Sequence, residues 1–303
     1  MLLQDVLKEF LFDCRMRKLS ERTLKGYKNN NLSLFRYLKN EYGIVKLDEV
    51  HYKLIQAYIK FLMDKELKET YINGLIKCFR AFFKYCYDED YISVNPMDKI
   101  KFQKQPITLI TTFTDKEVVD MVNHYNGKRF LDIRNRLIMT LLFDTGIRNA
   151  ELCQLKVSDI RETHINIMGK GKKQRYVPIT PVINKILVKY MRVREEYIKD
   201  KFAYETEYLL LSQKGKMLTI ETIERVVLEA GQSVGVRESV RISPHTCRHY
   251  YAQAQLRNGC DLYSLSKLLG HSNINITKIY LQSMNEDSFL EIAVKTSPLM
   301  NLR

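Results

Sequence analysis

The sequence predicts a mainly α-helical fold in two domains, with one small β-hairpin in the second. Three observations lead there. Apolar residues recur at helical spacing through the N-terminal third of the chain. A stretch without that periodicity, containing Pro106, then interrupts the pattern. Beyond it the helical pattern resumes and breaks once, at two alternating segments flanking a basic, glycine-containing turn. A length of 303 residues suits two ordinary domains.

The first helix is read from Leu2, Leu3, Val6, Phe10 and Leu11. Ser20 is the N-cap of a second, which carries Leu24, Tyr27, Leu34, Phe35 and Leu38 and stops near Gly43. A third spans about 52–63 and a fourth about 69–87, with Ile72, Leu75, Ile76, Phe79, Phe82 and Phe83 on its apolar side. Asn95-Pro96 closes this small bundle. The expected boundaries are an N-terminal domain over 1–102, a linker over 103–112 and a second domain over 113–303, ending in a tail over 283–303. Ten extended residues reach roughly 33 Å, more than the ~12 Å width of a DNA major groove. Thr114 and Glu117 form a capping box that opens the second domain. Helices follow at about 115–126 and 131–145, with Gly146 at the C′ position, then a short helix from Asn149. Residues 164–168 and 174–179 alternate around Gly169-Lys170-Gly171-Lys172-Lys173, the expected hairpin. The remainder, to about 292, reads as mostly helical, with Phe289, Leu290, Ile292, Ala293 and Val294 in a short terminal helix.

Composition narrows the function. Lys and Arg number 49 against 35 Asp and Glu, a net charge of +14, and the isoelectric point is near 9.3. The excess is spread over the chain, +6 within residues 1–105 and +8 beyond, with no block of like charge. Both parts therefore suit a polyanionic partner. No apolar run approaches the ~18 residues of a membrane span. The acidic N-terminus, with Asp5, Glu9 and Asp13, is unlike an export signal. The six cysteines are scattered and form no CxxC pair, as in a reduced, cytoplasmic protein.

Five pieces of the second domain carry candidate chemistry. Arg148 and Glu151 lie three apart on one helix face. Lys170 stands between two turn glycines, where it can reach a phosphate with little hindrance. Pro244 suits the first turn of a helix from which His245 and Arg248 project together. His245 and His249 have the spacing of a zinc pair, but the Glu of HExxH is missing; His249 is read as a packing residue or as one that supports the residues at the site, and no metal is expected. Gly270 ends a helix and His271 follows it. Tyr280 comes nine residues later. Taken singly, each has an ordinary reading: a surface ion pair, a solvated turn, a capping histidine, one packed tyrosine among 19.

Taken in order, they resemble the tyrosine recombinases, the phage-integrase and Xer-type group. That family's pattern of Arg, hairpin Lys, HxxR, LGH and Tyr reads here as Arg148, Lys170, His245/Arg248, Leu269-Gly270-His271 and Tyr280. The resemblance covers essentially the whole chain. It implies an N-terminal helical DNA-clamping domain of SAM-like type and a catalytic domain, together forming a C-shaped clamp. It also implies strand exchange through a covalent 3′-phosphotyrosyl intermediate, which conserves the energy of the broken bond. Resealing then needs no ATP, and no cofactor is expected.

The residues suit that reaction. Guanidinium forks at Arg148 and Arg248 fit the charge that builds on phosphate oxygens under attack. A phenol with pKa near ~10 needs help to attack at neutral pH. His245 is the candidate base or phosphate partner, His271 a donor to a non-bridging oxygen, and Lys170 the proton donor to the leaving 5′-oxygen. Glu151 would orient its neighbours. Further DNA contacts are expected from Lys172, Lys173 and Arg175 on the hairpin. In the N-terminal domain they are expected from Arg22, Lys25, Lys28, Lys77, Arg80 and Lys84.

The partners implied are a duplex with an inverted-repeat recombination site and three further subunits. The tail would link a homotetramer, or a heterotetramer with a related recombinase, and no membrane is involved. Two other readings stand beside this one, a non-catalytic DNA-binding protein on the same scaffold and a type IB topoisomerase-like enzyme. Integration or excision, inversion and dimer resolution are all compatible with the sequence.

Overall fold

A computed structural model describes residues 1–106, 110–169, 174–201 and 206–283, together with 290, 293, 294 and 297. The chain divides into two compact units, Met1–Ile107 and Thr108–Arg303. Lys170, Lys172, Lys173 and most of the expected tail over 283–303, Phe289 and Ile292 included, lie outside the described residues.

The first unit holds four helices, α1 (Leu3–Met16), α2 (Glu21–Tyr42), α3 (Tyr52–Asp64) and α4 (Glu69–Asp88). Ser20 caps α2 by accepting from the Thr23 amide, and Gly43 ends it at φ 67°. Each helix turns its apolar side inward. Phe10, Phe35, Phe79, Phe82 and Phe83 are buried together with the aliphatic residues of α1 and α3. Phe82 meets Phe10, Phe35 and Phe83 at ring-centroid distances of 5.7, 5.5 and 5.1 Å. These edge-on and tilted contacts suit aromatic quadrupoles.

The second unit holds α5 (Asp115–His124), α6 (Phe130–Thr145), α7 (Asn149–Gln154), β1 (His164–Met168), β2 (Gln174–Pro178), α8 (Pro181–Lys201), α9 (Ile220–Ser233), α10 (Pro244–Arg257), α11 (Leu262–Leu269) and α12 (Asn275–Lys278). Thr114 Oγ1 accepts from the Glu117 amide at 3.1 Å, and a Glu117 carboxylate oxygen accepts from the Thr114 amide at 2.7 Å, closing the capping box. The α6 helix is buried on most of its circumference and forms the spine of this unit. The two strands pair antiparallel, from His164 opposite Pro178 to Met168 opposite Gln174. Between α8 and α9 the chain is not helical throughout: short antiparallel bridges join Leu211 to Met217 and Lys156 to Tyr208. Among the described residues no helix is long and apolar enough to cross a membrane.

Candidate active site

Two helix ends frame the site. Gly146 ends α6 at φ 59° and Gly270 ends α11 at φ 65°, both in the left-handed region that glycine tolerates. Both also stand against neighbours. A Cβ on Gly146 would fall 2.4 Å from the Tyr251 ring, and one on Gly270 would fall 2.9 Å from the Arg175 side chain. The last carbonyls of a helix have no partner within it and carry the negative end of its dipole.

Arg248 uses that pair of ends. It projects from α10, whose first turn is fixed by Ser243 accepting from the Thr246 amide and by Pro244. Its guanidinium is 3 % exposed. It donates to the Gly146 carbonyl at 2.6 Å and to the Leu269 carbonyl at 2.7 Å. A further contact joins Nη2 to His271 Nε2 at 2.9 Å. Burial and the charges of Arg148 and Arg175 lower its pKa to about 10, which still leaves it cationic at neutral pH.

An arginine only donates, so His271 Nε2 must accept. The proton of that ring then sits on Nδ1, which donates to Thr277 Oγ1 at 2.8 Å. Burial, followed by the charges of Arg248, Arg148 and Arg175, lowers the His271 pKa to about 4. The ring is neutral until an anion arrives.

Arg148 and Glu151 stand on the opposite wall, at the start of α7. One Glu151 oxygen accepts from Arg148 Nη1 at 2.8 Å and the other accepts from the Arg148 amide at 3.0 Å. Arg148 Nη2 reaches the Gly270 carbonyl at 3.3 Å. The Arg148 side chain keeps 40 % of its surface exposed, so one edge of the fork is open.

Arg175 corrects the sequence expectation. It was expected on DNA, but its side chain is only 8 % exposed and lies bidentate on Glu151 at 2.9 and 2.7 Å. Its Nε donates to the Leu268 carbonyl at 2.9 Å. Strand alternation is the reason: Arg175 and Val177 share the inward face of β2. The same alternation was visible in the sequence and could have placed it there. Burial alone would raise the Glu151 pKa, but the hydrogen bonds and charge of Arg175, then those of Arg148, bring it below the ordinary value.

Tyr280 follows α12 and is 2 % exposed, packed with Tyr251, Leu256, Leu265 and Leu269. Its hydroxyl lies 3.1 Å from His249 Nδ1. Burial raises its pKa, against the opposing charges of Arg248 and Arg148, so the phenol is protonated. His245 is exposed one turn before His249, and the two rings meet at 4.1 Å. Burial and the charges of Arg248, Arg241 and Arg148 lower the His245 pKa.

A groove of about 890 Å³ opens beside these groups, its walls including Arg148, Gly169, Gln174, Tyr176, Lys267 and His271. Gly169 and Gln174 are the described ends of the hairpin that carries Lys170. Arg148, Glu151, Arg248, His271 and Tyr280 thus come together from four separate stretches of sequence. Nothing in the sequence marks Thr277, and the spacing of His249 from His245 does not identify Tyr280 as its partner. Among the described residues no cluster of three His, Cys, Asp or Glu side chains could hold a metal ion.

In the first unit, Arg22, Lys25, Lys28, Lys77 and Lys84 are exposed, with Lys84 paired to Asp88 at 2.9 Å. Arg80 differs. It is half-buried, stacked 4.1 Å over Phe102, and donates to the Ile100 carbonyl. Its guanidinium ties down the segment leaving α4.

A fold of two helical units with this constellation defines a class. Residues 111–287 match the phage integrase family, and residues 3–103 match the phage integrase SAM-like domain. The chain belongs to the phage integrase family. Among similar proteins is the tyrosine recombinase XerC of Thermodesulfovibrio yellowstonii, 30% identical over 283 residues and covering 92% of this chain and 91% of the relative. The XerC of Staphylococcus saprophyticus is 29% identical, covering 94% of each chain. This is a site-specific tyrosine recombinase of the Xer type, an enzyme that cleaves and rejoins DNA. These relatives do not favour a non-catalytic binder or a topoisomerase.

Solved structures share the fold. The XerH recombinase bound to palindromic difH in a post-cleavage complex matches with a TM-score of 0.74 at 20% identity, covering 94% of this chain and 82% of that one. A lambda integrase tetramer bound to a Holliday junction matches with a TM-score of 0.72 at 18% identity, covering 92% and 77%.

Proposed function

We propose that this recombinase attacks DNA with the Tyr280 hydroxyl to form a 3′-phosphotyrosyl bond, releasing a 5′-hydroxyl. The observation that carries the reading is the grouping of Arg148, Arg248 and neutral His271 at the end of α11, with both guanidinium charges acting on Tyr280. Arg148 and Arg248 bind the non-bridging oxygens of the scissile phosphate and stabilise the charge that develops there. A phosphate against His271 supplies the negative charge that the free site lacks. This favours the protonated ring, whose Nε2 then donates to the phosphate in place of accepting from Arg248. Lys170, which lies between β1 and β2 in the sequence, protonates the leaving 5′-oxygen. His245 borders the same phosphate, and Glu151 holds Arg148 in place while neutralising Arg175. No metal or other cofactor takes part.

Residues 1–102 form the DNA-clamping domain, 103–112 the linker and 113–303 the catalytic domain. Both domains contact the duplex. Arg22, Lys25, Lys28, Lys77 and Lys84 contact phosphates, as do Lys172 and Lys173, so affinity falls steeply with salt. The substrate is a cytoplasmic duplex with an inverted-repeat site. Four subunits, linked through the tail over 283–303, assemble on two such sites to resolve dimers of chromosomes or plasmids, or to integrate and excise DNA. The tetramer described for lambda integrase on the same fold supports this assembly.

The test is covalent capture. The protein is mixed with nicked duplexes of random sequence, denatured, and the attached strands are sequenced. Wild type is expected to retain DNA enriched in one half-site, and Tyr280→Phe to retain none while still binding duplex. Attachment by Tyr280→Phe at the wild-type level would overturn the assignment.

A further inference from the structure

The proposed reaction assigns no task to His249, yet it is His249 that touches the Tyr280 hydroxyl. Nδ1 lies 3.1 Å from that oxygen, and the two rings meet edge to face at 5.5 Å. The charge of the Arg248 guanidinium also acts on the Tyr280 hydroxyl. A cation nearby favours a hydroxyl whose lone pairs face the charge and whose hydrogen points away from it. The bare Nδ1 of His249 is placed to receive that hydrogen.

Helix α10 sets this up. Arg248 and His249 are adjacent, and His245 lies one turn earlier, so one stretch of helix delivers all three to the same corner. His245 is the exposed member; His249 fills the half-buried space between it and Tyr280. Burial, then the charges facing it from His245 and Arg248, lower the His249 pKa to about 4. At neutral pH the imidazole is therefore uncharged, with one ring nitrogen free to accept. The same weakness makes it a poor base towards a phenol.

Resting on Tyr280 as the nucleophile, we propose that His249 is a positioning residue for it. By accepting the hydroxyl hydrogen, His249 fixes the torsion of the phenolic O–H and turns the remaining lone pairs towards the guanidinium groups that bind phosphate. A hydroxyl free to rotate would spend part of its time with its hydrogen aimed at the phosphate, where no attack is possible.

Three variants test this on the nicked half-site duplex recovered by covalent capture, in single-turnover attachment measured beside duplex affinity and thermal unfolding. His249→Asn places an amide oxygen where Nδ1 stood. His249→Phe keeps the ring without an acceptor, and His249→Ala removes the ring without overfilling the space. Loss of one hydrogen bond to the reacting group predicts roughly 10- to 100-fold slower attachment for the Phe and Ala variants. Their duplex Kd is expected to be unchanged, and His249→Asn to recover to within about fivefold of wild type. Wild-type rates in a folded Phe or Ala variant would overturn the inference, as would an Asn variant as slow as Ala. If wild type attaches to no duplex at all, the reading of Tyr280 fails and this inference with it. Attachment by wild type with an indifferent His249→Ala defeats this inference alone.

Discussion

The two units have different interiors. In the N-terminal unit the core is aliphatic and aromatic, and the buried polar side chains among the described residues are Asn31 and Asn73. Asn73 exchanges two hydrogen bonds with the Gln103 backbone and anchors the segment leaving the bundle. The C-terminal unit buries four guanidinium groups, Arg134, Arg175, Arg194 and Arg248. Arg134 donates to Asn135 and the Leu211 carbonyl, and Arg194 to the carbonyls of Thr206, Tyr208 and Leu209. Those two brace the chain between α8 and α9. Arg175 is neutralised by Glu151, and Arg248 is held by helix-end carbonyls beside His271. A buried charge is costly unless it is fully hydrogen-bonded. The interior of the first unit is therefore mainly apolar packing, whereas the second carries polar machinery assembled before DNA arrives.

The sharpest way to break this comparison is to remove Glu151. Glu151→Ala leaves Arg175 buried without a counterion and frees Arg148. A loss of about 3–5 kcal/mol is expected in urea unfolding of the C-terminal unit, together with loss of covalent DNA attachment. Pairing it with Arg175→Met should recover much of the stability and none of the attachment. Recovery of both would mean that Glu151 serves only the fold.

Phe82→Ala asks the matching question of the N-terminal unit. Truncating a buried Phe costs about 3–5 kcal/mol. Calorimetry should show the transition of that unit moving down while the other stays in place. A common shift of both would show that the units are coupled more tightly than their separate cores imply.

The smallest expected effect is at Thr277. Thr277→Val keeps the shape and removes the acceptor for His271 Nδ1. Single-turnover attachment should slow by about five- to tenfold, the worth of one hydrogen bond of about 1 kcal/mol. An unchanged rate would mean that Arg248 alone orients His271.

The same contrast explains what was legible in the sequence. Features fixed by local chemistry were readable: the Ser20 and Thr114 caps, the left-handed glycines 43, 146 and 270, the start of α10 at Pro244, and the two paired strands over 164–168 and 174–178. Helix ends shifted by a residue or two where fraying decides, as at His124 for an expected end at 126. Arg148, Arg248, His271 and Tyr280 were readable only as an ordered set, because each alone has an ordinary explanation. Long-range partnerships were not readable. Arg80 and Arg175 looked like surface cations, since composition cannot say that Phe102 and Glu151 wait for them. The hydrogen bond from Tyr280 to His249 depends on how α10 packs against the turn after α12, which no local pattern encodes.

The central claim is that Tyr280 becomes the covalent link to DNA. Wild-type protein captured on a nicked duplex can be digested with nuclease and trypsin, and the nucleotide-bearing peptide sequenced by mass spectrometry. The modified peptide is expected to begin at Ile279, after cleavage at Lys278, with the nucleotide on Tyr280. A nucleotide on any other residue, the neighbouring Tyr251 included, would contradict the account.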